Sequence, residues 1–163
     1  MASKYNDDAV RLPQRGDINN PRLVKTILIT GAAGFIGSHT VEKLLAEGCR
    51  VVGVDNFRTG RHENLSHARQ STSFQLIETD VSAEGTLDKI VSEVSPAAII
   101  HLAALVSVPE SIENPDLNYR LNLHTTQLVA GAAQRHRVPR IVFASSAAVY
   151  GNSTAFPLAE SQY

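Results

Sequence analysis

The chain has 163 residues, which leaves room for one domain with its own hydrophobic core and excludes a second full domain, because domains commonly run to roughly 100–200 residues. With 43% hydrophobic and 19% charged residues it has the composition of a folded protein, and its formal net charge of −1 offers no basic surface for nucleic acid or an anionic membrane. Cys49 is the only cysteine, so an intramolecular disulfide is excluded; no residue cluster suggests a metal site, and no apolar run reaches the roughly 18 residues that cross a membrane.

The first predicted segment is a polar, aperiodic tail over residues 1–22, which ends in Asn19-Asn20-Pro21. This composition favours a flexible tail, with an extension that packs on another part of the protein as the alternative. The tail lacks the apolar stretch of a secretory signal, so we expect a cytoplasmic protein. Residues 23–163 are expected to form one domain.

From residue 25 onward, short apolar runs alternate with helical patterns, as in βαβ units. The runs KTILIT, RVVGVD, FQLIETD, AAIIHLA and RIVFASS predict strands over 25–30, 50–55, 74–80, 97–103 and 140–146. Apolar residues at helical spacing predict helices over about 35–47, 83–94 and 114–137, and segment 56–73 has room for a short helix. Such apolar strands need helices on both faces, so right-handed crossovers predict a doubly wound parallel α/β sheet of order 3-2-1-4-5.

Three glycines follow the first predicted strand in ILITGAAGFIGSH. Gly31 permits a tight turn out of the strand, Gly34 lets the backbone approach a pyrophosphate, and Gly37 lets the helix lie against the strand. The free N–H groups at the start of the helix then face the phosphates. Turn residues without a ligand are the alternative interpretation of these glycines.

Asp55 ends the second predicted strand, where a carboxylate can accept hydrogen bonds from the ribose hydroxyls of an adenosine. Because a carboxylate there repels a 2′-phosphate, the sequence favours NAD over NADP as the cofactor. Arg58 and Arg61 could reach a phosphate, but we expect both to be solvated surface residues.

The motif TGAAGFIG, with spacing G-x-x-G-x-x-G, resembles the extended short-chain dehydrogenase/reductase family, and VDNFRTG resembles its nucleotide-sugar epimerase branch. The resemblance covers residues 25–163 and implies a Rossmann-like, NAD-binding domain. It also implies that the sheet is incomplete, with about five strands, and that the C-terminal substrate domain of the family is absent. The cofactor contacts that it implies are Gly31, Gly34, Phe35, Ile36, Gly37, Asp55, Asn56, Asp80, Val81, Leu102, Ala103, Ala104 and Asn122.

Three further motifs support the cofactor contacts that lie later in the sequence. TDV resembles the family segment whose acidic residue, here Asp80, lies near the adenine, although a residue that caps a helix is an equal alternative. HLAALVSVPES resembles the fourth-strand motif whose small residues leave room for the cofactor, and we expect its His101 to be packed rather than catalytic. NLHTT resembles N-V-x-G-T with a departure at Thr125, which weakens the assignment of Asn122.

SSAAVYG resembles the segment in which the second serine, here Ser146, contacts the sugar hydroxyl being oxidised and the catalytic tyrosine. The family pairs that tyrosine with a lysine in Y-x-x-x-K, but none of the four tyrosines in this sequence has a lysine four residues later. The catalytic pair is absent, and Tyr150 is interpreted as structural. The Ala147-Ala148 pair favours an epimerase, since related dehydratases place an acidic residue there.

The resemblance implies the NAD-binding N-terminal portion of an epimerase that inverts C4 of a UDP-hexose through a transient 4-keto intermediate. The chain alone is expected to be inactive, with a nucleotide sugar as the substrate of the complete enzyme. The alternatives are a non-catalytic NAD or nucleotide-binding module and a 4,6-dehydratase parent. If the chain is complete, we expect a homodimer through the 114–137 helix. If it is a fragment, we expect exposed apolar surface around Leu117, Leu121 and Leu128, with self-association or poor solubility.

Overall fold

The computed structural model describes residues 24–152 and 156–159, so the predicted tail lies outside the described residues. Five strands alternate with helical segments along the chain. The strands are β1 (Thr26–Thr30), β2 (Arg50–Asp55), β3 (Phe74–Glu78), β4 (Ala98–His101) and β5 (Ile141–Phe143). The α-helices are α1 (Phe35–Ala46), α2 (Thr86–Val94), α3 (Val108–Glu113), α4 (Pro115–Asn118) and α5 (Thr125–Arg135).

The strands form one parallel sheet of order β3-β2-β1-β4-β5, which confirms the predicted topology. In the centre of the sheet, Ile29 of β1 pairs with Gly53 of β2 on one side and with Ile100 of β4 on the other. Because all strands run in the same direction, their carboxyl ends meet at one edge, and the loops that follow them gather there.

Two apolar clusters cover the opposite faces of the sheet, as the alternation of side chains along β1 requires. Leu28 points to the face covered by α2 and α5, where it joins Val91 and Val129. Ile27 and Ile29 point to the face covered by α1. Cys49 belongs to this second cluster, in agreement with its interpretation as a small apolar residue, and burial raises the pKa of its thiol.

The predicted helix over 114–137 differs from the observed one in its middle. The chain there is helical from α4 to α5, but residues Tyr119–His124 form a π-helical turn between them. The Thr125 hydroxyl donates to the carbonyl of Arg120, five residues earlier, at 2.8 Å and so supports the wider turn. Apolar spacing alone does not distinguish a π-helical turn from an α-helical one, because both place similar residues on the buried face.

The observed bounds of other helical segments also differ from the predicted ones. The predicted helix over 83–94 begins only at Thr86, because residues 80–85 form turns closed by backbone bonds. α3 was not predicted, and segment 56–73 contains two short 3₁₀ helices, His62–Leu65 and Ala68–Gln70. A further 3₁₀ helix spans Ala147–Tyr150.

Apolar surface is exposed close to the predicted residues and also elsewhere. Leu117, Leu121 and Leu128 themselves are half-buried, and Leu128 packs against the core. Tyr119 and Leu123, which neighbour Leu117 and Leu121 in the sequence, are exposed. Further exposed apolar side chains belong to β5 and to α3 with its preceding loop, and they are Val106, Val108, Ile112, Ile141, Val142 and Phe143.

Over the described ranges, no helix combines the length and apolar character needed to cross a bilayer.

Candidate functional site

A cavity of about 530 Å³ opens at the carboxyl edge of the sheet. It is lined by the turn after β1, the start of α1 and the loops after β2, β3, β4 and β5. All of the predicted cofactor residues except Asn122 line it, which are Gly31, Gly34, Phe35, Ile36, Gly37, Asp55, Asn56, Asp80, Val81, Leu102, Ala103 and Ala104. The fold thus brings together residues from four separate segments of the sequence.

Gly31 makes the turn between β1 and the cavity. Its φ is +72°, in the left-handed region that favours glycine, and its N–H donates to the carbonyl of Val54 at 2.9 Å. A Cβ at this position would lie 2.7 Å from the backbone nitrogen of Ala103. Both conformation and space therefore require glycine here.

Gly37 and Gly34 differ in what surrounds them. A Cβ on Gly37 would lie 2.0 Å from the carbonyl oxygen of Gly31, so this glycine lets α1 pack directly on the turn. A Cβ on Gly34 would meet only the same oxygen, at 3.3 Å, and its φ of −72° suits any residue. The contact at 3.3 Å is tight but much longer than the one at Gly37, so packing of the chain requires glycine at position 34 less strictly, and Gly34 lines the cavity where the first turn of α1 presents its free N–H groups.

The Asp55 carboxylate joins two walls of the cavity. Its Oδ2 accepts from the N–H of Ala33 at 2.8 Å, and its Oδ1 accepts from the N–H of Phe57 at 2.8 Å. Asp55 is buried, yet it still lines the cavity. Because each carboxylate oxygen has two lone pairs, both oxygens can accept a further hydrogen bond from a ligand.

Arg58, in the loop after β2, forms an ion pair with Glu110 of α3. Both side chains are about one-third exposed, at 34% and 33%, so Arg58 is a surface residue, as expected, although its guanidinium has an ion-pair partner. The two segments follow β2 and β4, which lie on either side of β1. Their ion pair therefore connects the walls that flank the glycine turn.

His101 and Thr30 lie beneath the cavity, at the ends of β4 and β1. Thr30 Oγ1 and His101 Nδ1 are 2.6 Å apart, and Thr30 Oγ1 also accepts from the N–H of Ala103 at 3.3 Å. His101 is buried, and desolvation lowers its pKa from 6.5 to about 4. It is therefore a neutral packed residue at physiological pH, as expected from the sequence.

This depressed pKa predicts a loss of stability on acidification. The unfolded chain takes up a proton near pH 6.5 and the folded chain only near pH 4, so stability falls as the pH drops through that window. The His101 contribution is roughly 3 kcal/mol at most. His101→Asn, which keeps a hydrogen-bond acceptor, should have a flatter profile of unfolding free energy between pH 6.5 and 4 in urea titrations. The control His39→Asn, at an exposed position, should keep the full slope of unfolding free energy against pH. Equal slopes for both variants would contradict the assignment of this pH dependence to His101.

Asn122 does not line the cavity; it holds the loop after β4. Its Oδ1 accepts from the N–H of Leu105 at 2.7 Å, and its Nδ2 donates to the carbonyl of Leu105 at 3.0 Å and to Asn118 Oδ1 at 2.7 Å. The Asn122 amide thus fixes the wall that Ala103 and Ala104 form. Its predicted contact with the cofactor remains a prediction.

Ser146 lines a second cavity of about 620 Å³, which shares Ala103, Ala104 and Ser145 with the first. Its Oγ accepts from the N–H of Ala148 at 3.2 Å and caps the 3₁₀ helix Ala147–Tyr150. This local bond is the structural alternative to a catalytic role, and it leaves the hydroxyl proton free for another partner. Its catalytic role stays a prediction.

Asp80 does not cap α2, because that helix starts six residues later. Its Oδ1 instead accepts from the N–H of Ser82 at 2.8 Å, within the loop that lines the cavity. Thr30, Ser82 and Glu110 were not predicted as site residues, because their importance depends on contacts or burial within the fold. For Thr30, the position directly before Gly31 was an available signal.

Comparison with known proteins identifies similar sequences and folds. The family model described as GDP-mannose 4,6 dehydratase matches residues 28–163. The chain is 41% identical over 134 residues to UDP-glucose 4-epimerase of Mycolicibacterium smegmatis, a match that covers 82% of this chain and 42% of that protein.

Two solved structures show the same similarity. UDP-glucose 4-epimerase from Brucella ovis, in complex with NAD, is 34% identical with a TM-score of 0.73 over 83% of this chain and 40% of that one. UDP-glucose 4-epimerase of Thermotoga maritima, with UDP-glucose, is 33% identical with a TM-score of 0.74 over 84% and 43%. The chain thus spans about two fifths of the length of these relatives.

Proposed function

Since the chain belongs to the GDP-mannose 4,6 dehydratase family of short-chain dehydrogenases/reductases, we propose that it binds NAD and forms the N-terminal portion of a UDP-hexose 4-epimerase. The observation that carries the proposal is the open space at Gly34, beside the N-terminus of α1. Packing of the chain requires glycine there less strictly than at Gly37, and a pyrophosphate that approaches the helix N-terminus would account for it.

The residues around the cavity fit the other parts of NAD. The Asp55 carboxylate would accept from ribose hydroxyls, and its negative charge would disfavour a 2′-phosphate. Phe35 and Ile36 are 78% and 64% exposed at the cavity, so a bound ligand would cover apolar surface there. Asp80 and Val81 complete the wall beyond Asp55.

NAD, when bound, would supply the hydride acceptor and donor for a sugar C4. The chain's own residues position and enclose the ligand: Asn122 fixes the backbone at Leu105, and the Ser146 hydroxyl can bind a sugar hydroxyl. Removing a proton from that hydroxyl needs a base, which the family resemblance assigns to the tyrosine of Y-x-x-x-K. This motif does not occur in the 163 residues, so we expect the chain alone to bind NAD without epimerising UDP-glucose.

The test is calorimetric titration of the chain with NAD, together with an assay for interconversion of UDP-glucose and UDP-galactose. NAD binding without turnover supports the proposal. No binding of NAD at millimolar concentration would overturn it. Turnover by the chain alone would overturn its catalytic part, because a different base would then have to act.

A second candidate is a non-catalytic module that binds NAD or a nucleotide and serves another protein. The two candidates differ when the chain is mixed with the C-terminal part of a relative: restored epimerase activity supports an epimerase portion, and NAD binding without restoration supports the module. A 4,6-dehydratase is disfavoured by Ala147-Ala148, and the assay for a 4-keto-6-deoxy product tests it.

The Arg58–Glu110 ion pair predicts how NADP would be discriminated. Because Glu110 engages the Arg58 guanidinium, Arg58 is not free to bind a 2′-phosphate. Glu110→Gln should release it and raise the affinity for NADP relative to NAD by roughly 1.5- to fivefold, the range expected from losing a partly exposed ion pair. NAD should still be preferred, because Asp55 is unchanged. Glu113→Gln, at an exposed position of the same helix, should leave the ratio of dissociation constants unaltered, and an equal ratio in both variants would contradict the prediction.

A further inference from the structure

Ser82 has a buried hydroxyl that forms no hydrogen bond with any of the described residues. The residue lies in the loop between β3 and α2 and is only 6% exposed. Among the side-chain atoms of the described residues, its Oγ is the one buried nitrogen or oxygen that lacks a partner. Buried hydroxyls in folded proteins are nearly always hydrogen-bonded, because desolvating one without a partner is unfavourable. This hydroxyl therefore indicates a partner that the described residues do not provide.

The same residue lines the 530 Å³ cavity. Its backbone is fixed, since the Ser82 N–H donates to Asp80 Oδ1 at 2.8 Å, but its hydroxyl makes no bond that would have to be broken. A rotation about the Cα–Cβ bond, between staggered rotamers, can therefore turn the hydroxyl toward the cavity without losing an interaction. A ligand in the cavity is thus a suitable partner.

The strand order indicates which part of the ligand this would be. The glycine turn follows β1, Asp55 ends β2, and Ser82 follows β3, which is the outermost strand on that side of the sheet. If the pyrophosphate lies over β1 and the ribose beside Asp55, the next group outward along the edge is the base. Adenine has ring nitrogens that accept hydrogen bonds and an exocyclic amino group that donates them, and a serine hydroxyl can do either.

We propose that Ser82 is a binding residue for the adenine base, whose polar edge supplies the partner that the buried hydroxyl lacks. The inference rests on the proposed NAD-binding function and adds a residue that determines specificity for the base. An ordered water molecule is the competing partner, and it would make Ser82 indifferent to the identity of the base.

The experiment compares Ser82→Ala and Ser82→Cys with Ser92→Ala, a matched change at an exposed position of α2. Cysteine keeps the shape of serine but is a poor hydrogen-bonding group. Each protein is titrated with NAD, with AMP and with nicotinamide hypoxanthine dinucleotide, in which oxygen replaces the amino group of the base. Thermal unfolding without ligand is measured in parallel.

We expect both Ser82 variants to bind NAD and AMP roughly five- to tenfold more weakly, the range for loss of one hydrogen bond. Their preference for NAD over the hypoxanthine dinucleotide should change, while their unfolding temperature without ligand is equal to or above that of the unmodified chain. Ser92→Ala should be unchanged throughout. Because the Ser82 variants should unfold at a temperature no lower than that of the unmodified chain, weaker binding would show a role in binding rather than in folding.

Each other outcome overturns a defined statement. Unchanged affinity and unchanged base preference in both Ser82 variants would overturn the inference and leave NAD binding standing. Weaker binding with an unchanged preference between the two bases would assign the hydroxyl to a bridging water and overturn direct recognition of the base. If the unmodified chain binds neither NAD nor AMP, the proposed function fails, and the inference fails with it.

Discussion

Gly37→Ala is expected to destabilise the domain by at least about 3 kcal/mol, because the added methyl group has no room. Its carbon would lie 2.0 Å from the carbonyl oxygen of Gly31 and 2.9 Å from the Cα of Ala32. These are backbone atoms of the turn that leaves β1, so they cannot move aside as a side chain does. Denaturation by urea, followed by circular dichroism, would measure the loss.

Gly131→Ala is the matched control, since Gly131 also lies within an α-helix, here α5. A Cβ there would approach only the Arg135 guanidinium, at 3.1 Å, which is the end of a flexible side chain. Alanine is favoured over glycine in helices by up to about 1 kcal/mol, so this variant should be as stable as the unmodified chain or more stable. Equal stabilities of Gly37→Ala and Gly131→Ala would contradict the close packing of α1 on the turn.

Unlike Gly37→Ala, Gly34→Ala is expected to keep a stable fold and to bind NAD more weakly. The methyl group would approach only the Gly31 oxygen, at 3.3 Å, so the unfolding free energy should change by no more than about 1 kcal/mol. The same methyl would enter the space proposed for the pyrophosphate, and the NAD dissociation constant should rise by roughly tenfold or more. Calorimetric titration measures the affinity, and the urea titration is repeated on the same protein.

Gly131→Ala again provides the control, because its position lies outside the cavity and its NAD affinity should be unaltered. Gly34→Val extends the series, and its larger side chain should lower the affinity further. A stable Gly34→Ala variant that binds NAD within twofold of the unmodified chain would show that the space at Gly34 does not receive the phosphates. The unmodified chain must bind NAD for this comparison, which links the result to the proposed function.

The topology and most of the cavity could be predicted because they depend on local patterns. Each strand is a short apolar run, and a parallel sheet places the segment after every run at one edge. The glycine spacing therefore located the turn at Gly31, and the position of Asp55 at the end of β2 located the neighbouring wall. These features need only the order of residues along the chain.

Contacts between distant segments could not be predicted in the same way. Arg58 and Glu110 are 52 residues apart, and neither stands in a pattern that indicates its partner. The unpaired state of Ser82 depends on every atom around it, so no sequence motif reports it. The π-helical turn Tyr119–His124 follows the same apolar spacing as an α-helix, and the exposure of Phe143 depends on whether another element covers β5.

The Asn122 amide binds the N–H and the carbonyl of Leu105 and makes no use of the Leu105 side chain in doing so. The course of the loop after β4 is thereby set by a main-chain contact from 17 residues away. Neighbouring exposed positions such as Val106 can then exchange their side chains while the path of the loop is preserved. In evolutionary terms this separates the path of the backbone from the side chains that line the cavity, so that this wall can vary in sequence without the scaffold being rebuilt.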